Sequence, residues 1–537
     1  MQRNWSRRFE YIQPTVGDRV VESNNFMHDR MKFFRRRQFV LGPDFVDYEG
    51  WKRVKVEDKY LLTVHPDLLT TVVEHHGNKA VMLGYAVDPY QADLTEEGIL
   101  QRFVHSPKSV ADVISGLEKL SGRFVLIVMC RAGLWLFHDA VALRQVQYCR
   151  TEQGAIWCAS QAETLAEGLG LDYDEEVLNY RNMPAYQASK NGFWLLNDRT
   201  PYREIRNLLP NHYLDLRQAK AFRYWPVEGC IGSLSVDESI QLCSPILQTS
   251  IHAAARRFDL WMGISAGGDS RKSLAAAKDA KDKINFFTTT PTQVSMLVND
   301  VKIPARLLPR LGLKHHNLGL QLMSEEFREY YECSATWARE RTGHIAYTML
   351  QCLGSQATVL NSNISEVAQR VYWLPKSKIN GEGLAVISGL NHPLAIAEFQ
   401  KWLDGAQPAC RAAKMNIMDL FFLEQRMGRW ATAAFSEYDI AHETFNPYNN
   451  RYLHCLMLAI NERHRRNRRW AVIINHIKYM WPEVLSEPIN PPDRILDKIQ
   501  QFIRRFIIHK TITPWFPVYE YLRYLKAKRR FKRQSQG

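Results

Sequence analysis

Leu260-Trp261-Met262-Gly263-Ile264-Ser265-Ala266-Gly267-Gly268-Asp269-Ser270-Arg271 is the stretch on which the fold of this chain turns. Leu260 to Ile264 reads as a short buried strand, and Ser273 to Lys278 as a strongly helix-forming run. A strand that feeds a helix through a turn of small residues aims several backbone N–H groups at one point. The helix dipole adds partial positive charge there. The glycines let an anion approach the backbone, Ser265 and Ser270 add hydroxyl donors, and Asp269 offers oxygen to a divalent cation that travels with phosphate. The turn therefore suits a polyphosphate. It lacks the Gly-Lys-Ser/Thr ending of a Walker loop, so it is a different kind of nucleotide site. An ordinary strand–turn–helix, whose glycines serve only the turn, is the alternative.

Outward from this turn, strands and helices alternate. Val236 to Arg257 predicts a helix, Ile284 to Thr289 a second strand, and Ala357 to Leu360 a third that ends at Asn361-Ser362-Asn363-Ile364-Ser365-Glu366. Such alternation implies a parallel sheet covered by helices on both faces, with any ligand outside the carboxyl ends of the strands. All three turns should then border one cleft. Before about Trp225 the pattern differs. Ser121 to Val128 with Gly133 to Asp139 predicts a hairpin, Gln145 to Cys149 with Ala155 to Ser160 another, and Gln161 to Gly168 a short helix. This is the pattern of a layered α+β domain. The expected organisation is a basic extension over 1–45, a layered domain over 46–225, a parallel-sheet domain over 236–485 and a basic, aromatic extension over 486–537.

The 537 residues exceed one compact core, and 46% hydrophobic with 23% charged content is that of a soluble globular protein. No apolar run nears the roughly 20 residues that span a bilayer, and the N-terminus lacks the apolar core of a signal peptide. Nine cysteines without C-x-x-C spacing favour reduced thiols in a cytoplasmic protein over a disulfide framework or zinc site. The net charge of +14 is concentrated: Gln501 to Gly537 carries ten Lys or Arg against one acid, Glu520. That end could meet an anionic partner or a membrane surface, or could be a helical extension docked by its aromatics.

In order along the chain, Gly122-Arg123-Phe124, Leu136-Phe137-His138-Asp139, Cys158 to Glu163, Leu209-Pro210-Asn211-His212-Tyr213-Leu214, Ser265 to Ser270, Asp300 to His316 and Glu437 to Arg451 resemble the asparagine synthetase B superfamily. The resemblance implies an Ntn-hydrolase-like layered sandwich, the glutaminase-like domain, before an α/β parallel-sheet synthetase domain of the adenine nucleotide alpha-hydrolase type. Ser265 to Ser270 stands as the pyrophosphate signature, with Ala266 replacing one glycine. Glutamine-hydrolysing relatives expose a cysteine at position two. Here that position is Gln2 and the first cysteine is Cys130, so the glutaminase-like domain reads as inactive. This resembles the branch that includes β-lactam synthetases and lasso-peptide cyclases.

The resemblance implies an ATP- and Mg2+-dependent, AMP-forming ligase that joins a small-molecule or peptide carboxylate to an amine acceptor. Ser265, Ala266, Gly267, Gly268, Asp269 and Ser270 would grip pyrophosphate, and Ile264, Phe287, Asn361 and Ser362 would border the adenosine. Asp269 and Glu366 would hold the metal, with Glu366 where the family has an aspartate, and Asn363 would face the substrates where the family has a glutamate or tyrosine. Both glycines of the family's second loop are missing here. Arg463, Arg465 and Arg466, followed by Lys478, are candidates to meet the departing pyrophosphate, though that stretch could equally be an exposed charged helix face. A catalytically silent ATP-binding scaffold and a nucleic-acid-modifying enzyme are the competing classes. The oligomeric state is open, a homodimer being one option.

Overall fold

The computed structural model describes residues 32–105, 107–183, 186, 195–290, 298–465, 471–491 and 516–533. The N-terminal half builds two antiparallel six-stranded sheets. The first contains β1 (Phe39–Gly42), β2 (Lys52–Glu57), β3 (Tyr60–Val64), β8 (Gln147–Arg150), β9 (Ile156–Ala159) and β10 (Arg206–Asn207) in the order β10-β8-β9-β1-β3-β2. The second contains β4 (Thr70–His75), β5 (Asn78–Val87), β6 (Ser121–Cys130), β7 (Gly133–His138), β11 (His212–Asp215) and β12 (Lys220–Arg223) in the order β12-β11-β7-β6-β5-β4. Alternation along the strands divides their side chains. Phe39, Leu41 and Leu62 of the first sheet meet Val81, Val125 and Ile127 of the second in one core. The opposite residues Met82, Phe124 and Leu126 pack on the helices Glu96–Val104 and Val110–Leu117. On the other side, Val40 and Ala159 pack on the helix Ala162–Leu169. The result is a four-layer helix–sheet–sheet–helix sandwich. Both predicted hairpins are present, β6–β7 and β8–β9.

The boundary expected at 45/46 is corrected. β1 is an interior strand, paired with β3 from Phe39↔Val64 and with β9 at Val40↔Ala159. Ahead of it, Arg35, Arg36 and Arg37 are all buried. Arg36 pairs with Asp67 at 2.6 Å and donates to the carbonyls of Ile440, Ala441 and Ser355, while Arg37 reaches those of Asp439 and Ser355. Residues read as an extension from their charge are thus built into the contact between the two halves. Carbonyl oxygens satisfy guanidinium groups that no sequence pattern could pair.

The C-terminal half holds a five-stranded sheet in the order β15-β14-β13-β16-β17: β13 (Leu260–Gly263), β14 (Ile284–Thr290), β15 (His315–Gly319), β16 (Thr358–Leu360) and β17 (Glu443–Phe445). All four pairings are parallel, as predicted. The helix Val236–Arg257 starts at a capping box in which Ser235 accepts from Glu238 N–H and the Glu238 side chain accepts from Ser235 N–H. The buried run Leu274 to Ala277 presses the helix after the loop against the sheet, since small side chains permit close approach. This half also extends past the expected end at 485. The buried Arg271 guanidinium donates to the carbonyls of Val484, Glu487 and Pro488 at 2.6–3.0 Å. Of the basic tail, the helix Phe516–Arg533 packs Tyr524 against the body, and Lys528 pairs with Glu382. Among the described residues no helix is long and apolar enough to cross a membrane.

Candidate nucleotide site

Strand order reverses between β13 and β16, and a cleft of about 330 Å³ opens at their carboxyl ends. It is lined by Ser265, Gly267, Asp269 and Ser270 after β13, Phe287 of β14, Asn361, Ser362 and Asn363 after β16, and Thr444 of β17. The turns after β13 and β16 therefore do share one cleft, whereas the turn after β14 lies outside the described residues. Tyr438 and His442 supply the far wall, and Ile345, Met349 and Val359 an apolar side.

The helix begins earlier than its strongest formers suggested, at Gly268, and ends at Ala276. Gly267 is its N-cap in an extended conformation and supplies no side-chain cap, which leaves the first-turn N–H groups for a ligand. A Cβ on Gly267 would crowd Ser265 Oγ at 3.0 Å. The loop before the helix is already self-bonded. Ser265 N–H donates to Ser270 Oγ, Gly267 N–H to Ser265 Oγ, and Ala266 N–H to Asp300 Oδ1, each at 3.1–3.2 Å. Ala266 is buried and its carbonyl accepts from Asn490 N–H at 2.9 Å. Of the Ser265–Ser270 backbone expected to grip pyrophosphate, the Ser265, Ala266 and Gly267 amides are thus already engaged within the protein. Ile264 is likewise corrected. It is buried, with its N–H on Phe287 O and its carbonyl accepting from Thr288 Oγ1. It shapes the strand end without facing the cleft.

Asp269 accepts a short hydrogen bond from Ser365 Oγ, which ties the first turn of the helix to the loop after β16. Glu366 lies beside it. Burial, then the charge of Asp269, pushes the Glu366 carboxyl up to about 7, and its Oε2 is buried with no hydrogen-bond partner among the described residues. Burial raises Asp269 as well, against the Ser365 bond and the charge of Lys272. Two half-buried carboxylates that repel each other, one with an orphaned oxygen, fit a hard divalent cation. No cluster of three or more metal-ligating side chains forms among the described residues, so such an ion would complete its shell with phosphate and water oxygens, as magnesium does.

The second loop keeps its tight turn without glycine. Ile364 is buried at φ +80°, a left-handed conformation that is rare for a β-branched residue. Asn361 Oδ1 accepts from Asn363 N–H at 2.8 Å, and Asn446 Nδ2 donates to Asn363 O at 2.7 Å. Ser362 Oγ sits 2.7 Å from Ser273 Oγ, which also meets Tyr448 OH at 3.1 Å. These bonds hold the strained turn in place.

Of the arginines named for pyrophosphate, Arg463 and Arg465 do not line the cleft. Arg465 is buried and bidentate to Asp419 at 2.6 and 2.9 Å, and Arg463 is exposed with its Nε on His464. Arg466 lies outside the described residues, and Lys478 is exposed. The cations whose charge reaches the carboxylate pair are Lys272 and Arg426. Lys272 is buried, 4.9 Å from the Tyr448 ring centre, and its Nζ has no hydrogen-bond partner among the described residues. Burial lowers it to about 8. Its place three residues after Asp269, one helical turn on, was a legible signal. Arg426 comes from a π-helix, Phe422–Ala431, and His442 from the turn before β17; neither carried one.

No family model matches the sequence, and no curated protein matches it. Among solved structures, the chain is similar to a glutamine phosphoribosylpyrophosphate amidotransferase from B. subtilis complexed with ADP and GMP (12% identity, 54% of this chain and 67% of that one, TM-score 0.23). It is also similar to an allosteric regulatory enzyme of purine biosynthesis (12%, 58% and 75%, 0.24). A third is a glutamine-dependent NAD+ synthetase from Acinetobacter baumannii in complex with ADP (12%, 63% and 67%, 0.20). At these TM-scores the similarities carry no argument, and the site rests on its own geometry.

Proposed function

We propose that this chain is an ATP-dependent ligase of the asparagine synthetase type. In this reading a carboxylate oxygen attacks the α-phosphorus of ATP, pyrophosphate leaves, and an amine then displaces AMP to form an amide. The observation that carries it is the half-buried, electrostatically coupled Asp269–Glu366 pair beside an uncapped helix N-terminus at the strand-order reversal. The Gly268–Ser270 amides would take phosphate oxygens, and Phe287 with Met349 and Val359 would pack on the base. A magnesium ion held by Asp269 and Glu366 would neutralise the triphosphate. Asn363, Tyr438 and His442 would border the carboxylate and its amine partner.

Glutamine is not the amine source in this reading. The N-terminal sandwich places Arg37 and Gln38 immediately before β1, and of its thiols burial pushes Cys149 up to about 12 and Cys158 well above the usual thiol range. Neither is a nucleophile at neutral pH. A second reading, an ATP-binding scaffold without turnover, is favoured by the strained Ile364 turn and by the diversion of Arg465 to Asp419.

The test is calorimetric binding of Mg-ATP, followed by AMP and pyrophosphate release across panels of carboxylates and amines. Binding with release supports the ligase, and binding without release across the panel supports the scaffold. Mg-ATP affinity unchanged in Asp269→Ala would overturn both.

A further inference from the structure

A second cavity, of about 120 Å³, shares no lining residue with the nucleotide cleft. Part of its wall is apolar: Ile114 and Leu117 of the helix Val110–Leu117, then Leu120 and Phe124. Another part offers donors. Arg451 is buried and opens the helix Arg451–Leu458. Its guanidinium donates to Asn211 Oδ1, to Ala140 O at 2.8 Å and to Tyr224 OH at 3.3 Å, all of them neutral acceptors. A guanidinium has more N–H groups than these acceptors use, and its charge meets no carboxylate among them. Tyr224 OH accepts from Arg451 and so keeps its own proton to donate. Trp225 is buried, and its Nε1 has no hydrogen-bond partner among the described residues. A buried cation met only by neutral groups, among donors with capacity left, calls for an anion.

The rim carries the opposite charge. Glu118 and Val227 line the cavity and are both exposed. Tyr452 N–H donates to Glu118 O at 2.9 Å, and Asn450 Nδ2 to Lys119 O at 2.7 Å. These bonds hold the segment that carries Glu118 against the residues on either side of Arg451, so an acid and a cation border one space.

We propose that this cavity binds a hydrophobic α-amino acid, with its carboxylate on Arg451 and Tyr224, its ammonium on Glu118 and its side chain on the apolar wall. An α-amino acid carries both charges on one carbon, which suits an acid and a cation held on neighbouring segments. The size agrees: at about 10–15 Å³ for each water-sized group, the cavity takes about 8–12 of them, a range that includes leucine and phenylalanine. Burying the side chain supplies affinity, and the charged ends supply selectivity. An amine without the carboxylate would leave the Arg451 charge unmet, and an acid without the amine would set its carboxylate near Glu118 with nothing between them.

The test is isothermal titration of the full chain, without nucleotide, with leucine, phenylalanine, 4-methylpentanoate, isoamylamine and glycine. Because nucleotide is absent, failure of the ligase reading does not touch the result. Leucine or phenylalanine should bind saturably at one site. 4-Methylpentanoate, isoamylamine and glycine should each bind at least about tenfold more weakly. Val227→Trp, a change at a residue 51% exposed, should block the site, and Glu118→Gln should weaken leucine by about tenfold or more. Both positions lie at the surface, and a thermal melt checks that each variant is folded. The proposal is overturned if neither amino acid binds at millimolar concentration, if 4-methylpentanoate binds as tightly as leucine, or if folded Val227→Trp binds leucine as the unmutated chain does.

Discussion

Glu443→Gln should loosen the junction between the two halves by a predictable amount. Glu443 begins β17 and accepts from Arg123 Nη1 at 2.8 Å and Arg144 Nη2 at 2.6 Å, both arginines being buried. Arg123 also donates to Asp439 at 2.7 Å. Glutamine keeps the shape and one acceptor oxygen but leaves Arg144 charged and without its carboxylate. Removing one partner of a buried ion pair costs about 3–5 kcal/mol. Asp439 still neutralises Arg123, so the lower end, about 3 kcal/mol, is expected. For domains of this size that lowers the unfolding midpoint by about 6–12 °C, measurable by calorimetry at pH 7. The pH dependence has a definite sign. Burial alone would raise the Glu443 carboxyl, but Arg144, Arg123 and Arg37 outweigh it and hold it well below the usual carboxylate range. Its contribution is therefore complete above the unfolded-state value and is lost as pH falls toward the folded one. The gap between the two proteins should shrink from about pH 5 downward. A gap under about 1 kcal/mol at pH 7, or one that stays constant down to pH 3, would refute this account of the junction.

Glu366→Gln should act in the opposite direction without metal. The folded Glu366 is raised to about 7, so its cost to the native state grows as pH rises from about 4.5 through 7. Magnesium-free thermal melts at pH 8 should show the variant more stable, by on the order of 1–3 kcal/mol, with its Mg-ATP affinity reduced; equal melts would count against a mutually repelling carboxylate pair. At position 364, glycine should be better tolerated than alanine by about 1 kcal/mol, the reverse of the usual order, because alanine retains the left-handed strain. Chemical denaturation of Ile364→Gly and Ile364→Ala checks it. Arg465→Ala should lose about 3 kcal/mol or more by stranding buried Asp419 yet bind Mg-ATP as before once folded. A selective loss of nucleotide affinity would return Arg465 to the site.

Local pattern alone determined much of this protein. The alternation of short apolar strands with helices gave the parallel sheet, and the small-residue turn between Ile264 and Ser270 gave the loop, because backbone sterics and hydrogen bonding within a few residues settle both. The two hairpins and the Ser235–Glu238 capping box are local in the same sense. The rest needed residues hundreds of positions apart. Arg36 and Arg37 look like a solvated basic run until the carbonyls of Ser355 and Asp439 to Ala441 surround them. Arg463 and Arg465 look alike on a charged helix until Asp419 removes one of them from consideration. Lys272 becomes a site cation only because burial places it beside Asp269. Charge in a sequence has no address: whether it meets water, a carbonyl or a carboxylate is decided by packing, since only burial makes an unpaired charge costly enough to dictate its partner.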